Sequence, residues 1–143
     1  VEGFNHVFPI EVRFRDIDVL GHVNNAVTLT YLETARVPFL VAVGIRNPQA
    51  GLSDVSVIVA HLSCDFRKPI FFGQKVTVGS KIVKIGRTSL RLEHRIEADG
   101  ELATEGVCIL VHYDYTANRS LPLTPEMIAR IEAFEGRKYT AGA

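Results

Sequence analysis

One stretch limits the folds open to this chain more than any other. From residue 26 to about residue 43 the sequence contains no glycine and sets Leu29, Leu32, Ala35 or Arg36, Phe39 and Val43 at helical spacing. Strand after strand follows it. Segments at about 55–67, 75–85, 89–98 and 101–113 are separated by KPIFFG at 68–73, GR at 86–87 and the hairpin signal DG at 99–100. These four strands are expected to run antiparallel as a meander, with 106–113 (GVCILVHY), apolar on both faces, as a central strand. Before the helix, IEVRFR at 10–15 alternates, with Ile10, Val12 and Phe14 on one face, and predicts a half-buried strand. The residues at 44–54 read as a loop. LTPEMIARIEAFEG at 123–136 predicts a short second helix with Thr124 as cap, Pro125 at its first position and Gly136 as stop. Pro38 removes the bond to the Thr34 carbonyl, so a kink or an early end of the long helix is expected there. A single long helix among antiparallel strands is buried most simply by a sheet that curls around it, an α+β architecture.

A chain of 143 residues fits one domain, here taken as 1–143, and buries roughly 70% of the surface its unfolded form exposes. Sixteen basic and sixteen acidic residues cancel, which removes the electrostatic footprint of a nucleic-acid or anionic-membrane binder. No apolar run reaches about eighteen residues and no signal-peptide core stands at the start, so a cytoplasmic protein is expected. Cys64 and Cys108 are too few for a disulfide scaffold and are expected as buried thiols.

Between the first strand and the helix lies RDIDVLGHVNN, 15–25, where polar residues concentrate. DIDVLG matches the opening of a calcium-binding EF-hand loop, but Leu20 and Val27 stand where that loop needs ligand oxygens. A phosphoaspartate enzyme needs a parallel α/β sheet, which the meander denies. A metal site built on His22, Asp16 and Asp18 lacks a further ligand, so no metal is expected. Two readings stay open. In one, the aspartates and asparagines only satisfy turn and cap donors. In the other, Asn24 or Asn25 caps the helix, free N–H groups at its positive end polarise a carbonyl, and a nearby carboxylate acts as base or nucleophile. Gly21 would let the backbone approach such a substrate closely.

The stretch RDIDVLGHVNNAVTLTYLETAR, 15–36, closely resembles the signature of hotdog-fold acyl-CoA thioesterases of the 4-hydroxybenzoyl-CoA thioesterase type. DFRKPIFFGQKVTV at 65–78 and GRTSLRLEHRI at 86–96 are similar to later segments of that family, and the likeness covers about residues 8–123. It implies a curved antiparallel sheet around the long helix, assembly into homodimers or homotetramers, and active sites at the dimer interface. Residue by residue, it implies that Asp18 is the catalytic carboxylate and that the carbonyl-polarising N–H lies at or beside Asn25. Asp16, Gly21, His22 and Asn24 would shape the loop and orient Asp18. Glu33 is a second candidate base, although its spacing from Arg36 also suits a simple ion pair. Arg87, Thr88 and Ser89 fall where relatives contact the nucleotide phosphates of coenzyme A. The substrate implied is an acyl-CoA or acyl-carrier-protein thioester, with no cofactor beyond the coenzyme A of the substrate. A non-catalytic acyl-CoA-binding module is the alternative. Thr28 and Pro38 depart from the family pattern, so the acyl group is not carried over. His61 and His94 are expected as core or interface histidines.

Overall fold

The computed structural model describes residues 1–49 and 56–140. Residues 50–55, which hold the end of the expected 44–54 loop and the first residue of the expected 55–67 strand, lie outside them. The long helix, α1 (Asn25–Val43), starts where the Asn24 side chain accepts the Ala26 N–H at 2.8 Å. It ends at Gly44, whose φ of 92° suits glycine and whose N–H returns to the Leu40 carbonyl. The helix continues past Pro38, so the expected early end does not occur. Losing one backbone bond at a proline costs about 3 kcal/mol. Burying Phe39, Leu40 and Val43 beyond it returns roughly 1.5–3 kcal/mol for each side chain, which outweighs that loss.

Six strands surround the helix: β1 (His6–Ile10), β2 (Val57–Phe66), β3 (Val76–Ile85), β4 (Ser89–Ala98), β5 (Glu101–Asp114) and β6 (Arg119–Ser120). All pair antiparallel, in the order β1-β3-β4-β5-β2, with β6 beside β5. The Asp99-Gly100 hairpin forms as its sequence demands, with φ positive at both residues. α2 (Pro125–Glu135) is capped by Thr124 and stopped by Gly136.

Three expectations need correction. First, the opening strand is His6–Ile10, not 10–15. Its ladder with β3 ends at the Ile10–Val76 pair, and the Asp16 carboxylate then takes the Arg13 N–H at 2.9 Å, folding Phe14–Asp16 into a 3-10 turn. Val12 is still buried, but Phe14 is 80% exposed. Pro9 is tolerated in β1 because that strand is an edge. Second, only β3, β4 and β5 form the meander. β2 crosses to the far side and pairs with β5, which makes β5 central and leaves β2 as the other edge. Third, α1 is long and apolar enough to cross a membrane, with a mean hydropathy of 1.3. Its length and composition pass that test because Glu33 and Arg36 are its only charges, while one face lies against the sheet.

That face divides the core in two. Leu32 and Ala35 pack with Val76, Val78 and Ile96. Phe39, Leu40 and Val43 pack with Ile82, Leu92 and Ile131 of α2. Between the two clusters runs a polar layer. His94 sits opposite Ser80 across the β3–β4 pair, and their side chains share a hydrogen bond of 2.8 Å. Burial, reinforced by the Arg36 charge, pushes the His94 pKa down to about 3. Arg36 is itself buried and its Nη1 has no partner among the described residues, whereas Glu33 is exposed. The suggested Glu33–Arg36 pair therefore does not form, because Arg36 shares the inward face with Leu32 and Leu40. His94 is a core histidine as expected; His61 is exposed on β2. Cys108 is buried and Cys64 half-buried, both as free thiols.

Candidate active site

The loop between the 3-10 turn and α1 folds back on itself. Ile17 and Val23 form an antiparallel bridge, the Asp18 N–H bonds the His22 carbonyl, and the Gly21 N–H bonds the Asp18 carbonyl at 3.0 Å. Residues 18–21 thus form a tight turn, in which Gly21 takes a φ of 87° that side-chain-bearing residues rarely adopt. The Val23 N–H fixes this hairpin to the Ile70 carbonyl, and the Asn24 N–H bonds the Asp16 carbonyl.

Both oxygens of Asp18 are held. Oδ1 accepts the Leu20 N–H at 2.9 Å, and Oδ2 accepts the Asn24 side-chain amide at 3.2 Å. The same Asn24 side chain caps α1 through its own oxygen, so one amide joins the carboxylate to the helix start. Each carboxylate oxygen keeps a lone pair for a further donor. Ala26 is capped and Thr28 has begun the helical ladder, but the N–H groups of Asn25 and Val27 meet no acceptor among the described residues. They stand at the positive end of a 19-residue helix.

Asn25 opens onto a pocket of about 260 Å³. His22, Val23 and Thr28 line it, together with Phe66, Ile70 and Thr104 and the cationic Arg67 and Lys68. Neither Asp18 nor Asn24 lines this pocket; Asn24 ties Asp18 to the helix start next to it, where Asn25 does. His22 packs edge-on against Phe71, and its Nδ1 lies 3.2 Å from the Val23 carbonyl.

Asp16 is the support that the loop's shape requires. Besides the Arg13 N–H, its Oδ2 accepts the Tyr31 hydroxyl at 2.6 Å. Burial, with this bond and the Asp16 charge behind it, pushes the Tyr31 pKa well above 10. The role of Tyr31 was missed from sequence. The available signal was its spacing, since seven residues is two helical turns and puts Tyr31 on the same face as Asn24.

Two predicted groups stand apart from this site. Glu33 is exposed on α1 and does not line the pocket. Arg87 and Thr88 lie in the β3–β4 turn and Ser89 opens β4; the Arg87 carbonyl accepts the Leu123 N–H. The Asp18 hairpin lies at the Val76 end of β3. Ten residues of β3 put the Ile85 end roughly 30 Å away. One protomer does not bring the two together. Among the described residues no three His, Cys, Asp or Glu side chains are placed to hold a metal ion.

The model of a thioesterase-like superfamily matches residues 12–131. The chain is 26% identical to long-chain acyl-CoA thioesterase FadM of Escherichia coli over 129 residues, 86% of this chain and 94% of that one. It is 28% identical to the chloroplastic acyl-acyl carrier protein thioesterase ATL3 of Arabidopsis thaliana over 97 residues, 66% of this chain but only 51% of that protein. Among solved structures it is similar to a Thermus thermophilus thioesterase complexed with coenzyme A and zinc, at 42% identity and a TM-score of 0.86 over 96% of this chain and 98% of that one. The curved sheet around α1 is the fold of that solved thioesterase, and the chain belongs to the thioesterase-like superfamily as a hotdog-fold thioester hydrolase.

Proposed function

We infer that the chain hydrolyses acyl thioesters of coenzyme A with Asp18 as the catalytic carboxylate. The observation that carries this reading is the double use of Asn24, which orients Asp18 and also caps the helix beside the free Asn25 N–H. A thioester seated at the pocket mouth places its carbonyl oxygen on that N–H. Asp18 takes a proton from water as the water oxygen bonds to the carbonyl carbon, and negative charge develops on the oxygen facing the helix start. The C–S bond then breaks, and the thiolate recovers the proton from Asp18. Direct attack by Asp18 would instead form an acyl-aspartyl anhydride, which single-turnover hydrolysis in ¹⁸O-water distinguishes by labelling Asp18. An acyl-CoA-binding module without turnover has no use for a carboxylate held beside a carbonyl-polarising helix start.

Coenzyme A is favoured over a carrier protein as the thiol by the Arg87–Ser89 turn, provided the chain dimerises. Among the described residues β2 is an edge strand, with Val59, Leu62 and Phe66 exposed. Its Val57 end pairs with His112, whose N–H bonds the Thr88 carbonyl, while Phe66 at its other end lines the pocket. Two β2 edges paired antiparallel would set the pocket of one protomer near Arg87 of the partner subunit. The deciding experiment is thiol release from a panel of acyl-CoAs by wild type and Asp18→Asn, with solution mass measured alongside. Asp18→Asn is expected to lower kcat at least 100-fold and leave the fold intact. Near-normal turnover by Asp18→Asn refutes the assignment.

A further inference from the structure

Two buried threonines line the pocket beside Asn25, apart from the charged Arg67 and Lys68, which are engaged with Glu105 and Glu101. Thr104 is 1% exposed and lines it from β5, and its hydroxyl has no hydrogen-bond partner among the described residues. Thr28 is 3% exposed and lines it from α1; its hydroxyl proton is directed to the Asn24 carbonyl at 3.4 Å. The Thr104 hydroxyl faces the pocket with no protein group bound to it, so a polar atom of an occupant can take it up in place of water. The two threonines differ in what they can offer. Thr28 donates to the Asn24 carbonyl over a long 3.4 Å and presents its lone pairs to the pocket, whereas Thr104 has no such internal acceptor and is free to donate. An occupant oxygen that donates to Thr28 and accepts from Thr104 is a hydroxyl; a ketone oxygen would leave Thr28 unmatched.

Size and distance narrow the ligand further. Within one protomer the part of the pocket beside Asn25 has a volume of about 260 Å³, enough for the first carbons of an acyl chain. Thr28 is three residues along α1 from Asn25, a rise of roughly 4.5 Å. A carbonyl held at the Asn25 N–H therefore puts Thr28 within reach of a hydroxyl on one of the first few carbons of the acyl chain. We propose that Thr28 and Thr104 form a hydroxyl-recognising subsite, which makes short hydroxyacyl thioesters the preferred substrates. The proposal rests on the thioesterase reading above only for where the carbonyl sits.

The test compares 3-hydroxybutyryl-CoA with butyryl-CoA, 3-oxobutyryl-CoA and decanoyl-CoA by kcat/KM. The wild type is expected to favour the hydroxyacyl substrate over each of the others by about tenfold or more, since a site built to bond a hydroxyl discriminates strongly against analogues that lack it. Thr104→Val and Thr28→Val are expected to collapse the hydroxybutyryl-to-butyryl ratio toward one, and Thr104→Ser to restore it. A wild-type ratio near one, a preference for decanoyl-CoA, or valine variants that leave the ratio untouched overturns the proposal. The same pairs are measured by calorimetry with the non-hydrolysable thioethers S-(3-hydroxybutyl)-CoA and S-butyl-CoA. Absence of all turnover with tighter binding of the hydroxylated thioether would sink the hydrolytic reading and leave the subsite standing. Equal binding of the two thioethers, with or without turnover, sinks the subsite.

Discussion

Asn24 performs two tasks with one amide, and two substitutions separate them. Serine caps a helix about as well as asparagine does, but it is too short to cap and reach Asp18 at once; alanine does neither. Losing the cap costs about 1 kcal/mol. Losing the 3.2 Å bond to a half-buried carboxylate costs roughly 0.5–1 kcal/mol, the low end for hydrogen bonds to charged groups because solvent reaches Asp18. Asn24→Ser is therefore expected to lose up to about 1 kcal/mol and Asn24→Ala about 2 kcal/mol in urea unfolding. At about 4 °C per kcal/mol for a chain of this size, the Tm falls by about 4 °C and about 8 °C. Activity should follow a different pattern. Both variants release Asp18 from the helix start, and misplacing a reacting group by about 1 Å costs on the order of 100-fold, so kcat should fall alike in both. The assay pairs melting curves with thioester hydrolysis on the same preparations. Asn24→Ser with wild-type kcat would refute the claim that this amide orients the catalytic carboxylate. Equal melting of the serine and alanine variants would refute the capping half.

Removing the hydroxyl in Tyr31→Phe takes a 2.6 Å donor from the Asp16 carboxylate and should cost about 1–2 kcal/mol, read by urea unfolding at pH 7. Tyr31 also sets an alkaline limit: its folded pKa lies above the ordinary 10.0, so above pH 10 the unfolded chain releases a proton that the folded chain keeps. Stability is full below pH 10 and falls as pH rises, and Tyr31→Phe should flatten that fall. His94 works at the other end of the scale. With a folded pKa of about 3 against 6.5, it contributes stability above pH 6.5 that is lost as pH drops, by up to about 1.4 kcal/mol per pH unit. Denaturant midpoints taken from pH 7 to pH 4 should fall less steeply for His94→Gln; an unchanged slope would show that other groups set the acid limit.

Periodicity and turn chemistry made much of the fold legible, and its failures have physical causes. The long helix and the Asp99-Gly100 hairpin followed from local rules, because their residues carry the signal themselves. The first strand did not. Ile10, Val12 and Phe14 alternate, but the Asp16 carboxylate ends the strand from three residues away by taking the Arg13 N–H, a side-chain event that hydrophobic pattern does not report. The position of β2 was equally hidden, since a strand's neighbour is chosen by which edge is free after the other strands have paired. Within the site, the division of labour between the two aspartates was readable as a motif, but its mechanism was not. Asp16 and Asp18 are two residues apart and chemically alike. They differ because the 3-10 turn presents Asp16 to Tyr31, whereas the hairpin presents Asp18 to Asn24. Arg36 is the hardest case. Its spacing from Glu33 suggests a surface pair, and only packing reveals that it shares the inward face with Leu32 and Leu40. There its charge sits beside a histidine that burial keeps neutral at physiological pH. A buried guanidinium without a carboxylate partner is expensive, and replacing such a group by an apolar side chain of similar volume is often neutral or stabilising. Arg36→Met therefore separates two explanations of the polar layer. If the layer is only tolerated, the variant matches or exceeds wild-type stability. If the guanidinium positions His94 and Ser80 beneath the helix, the variant loses stability; in either case His94 loses a neighbouring charge and titrates closer to 6.5.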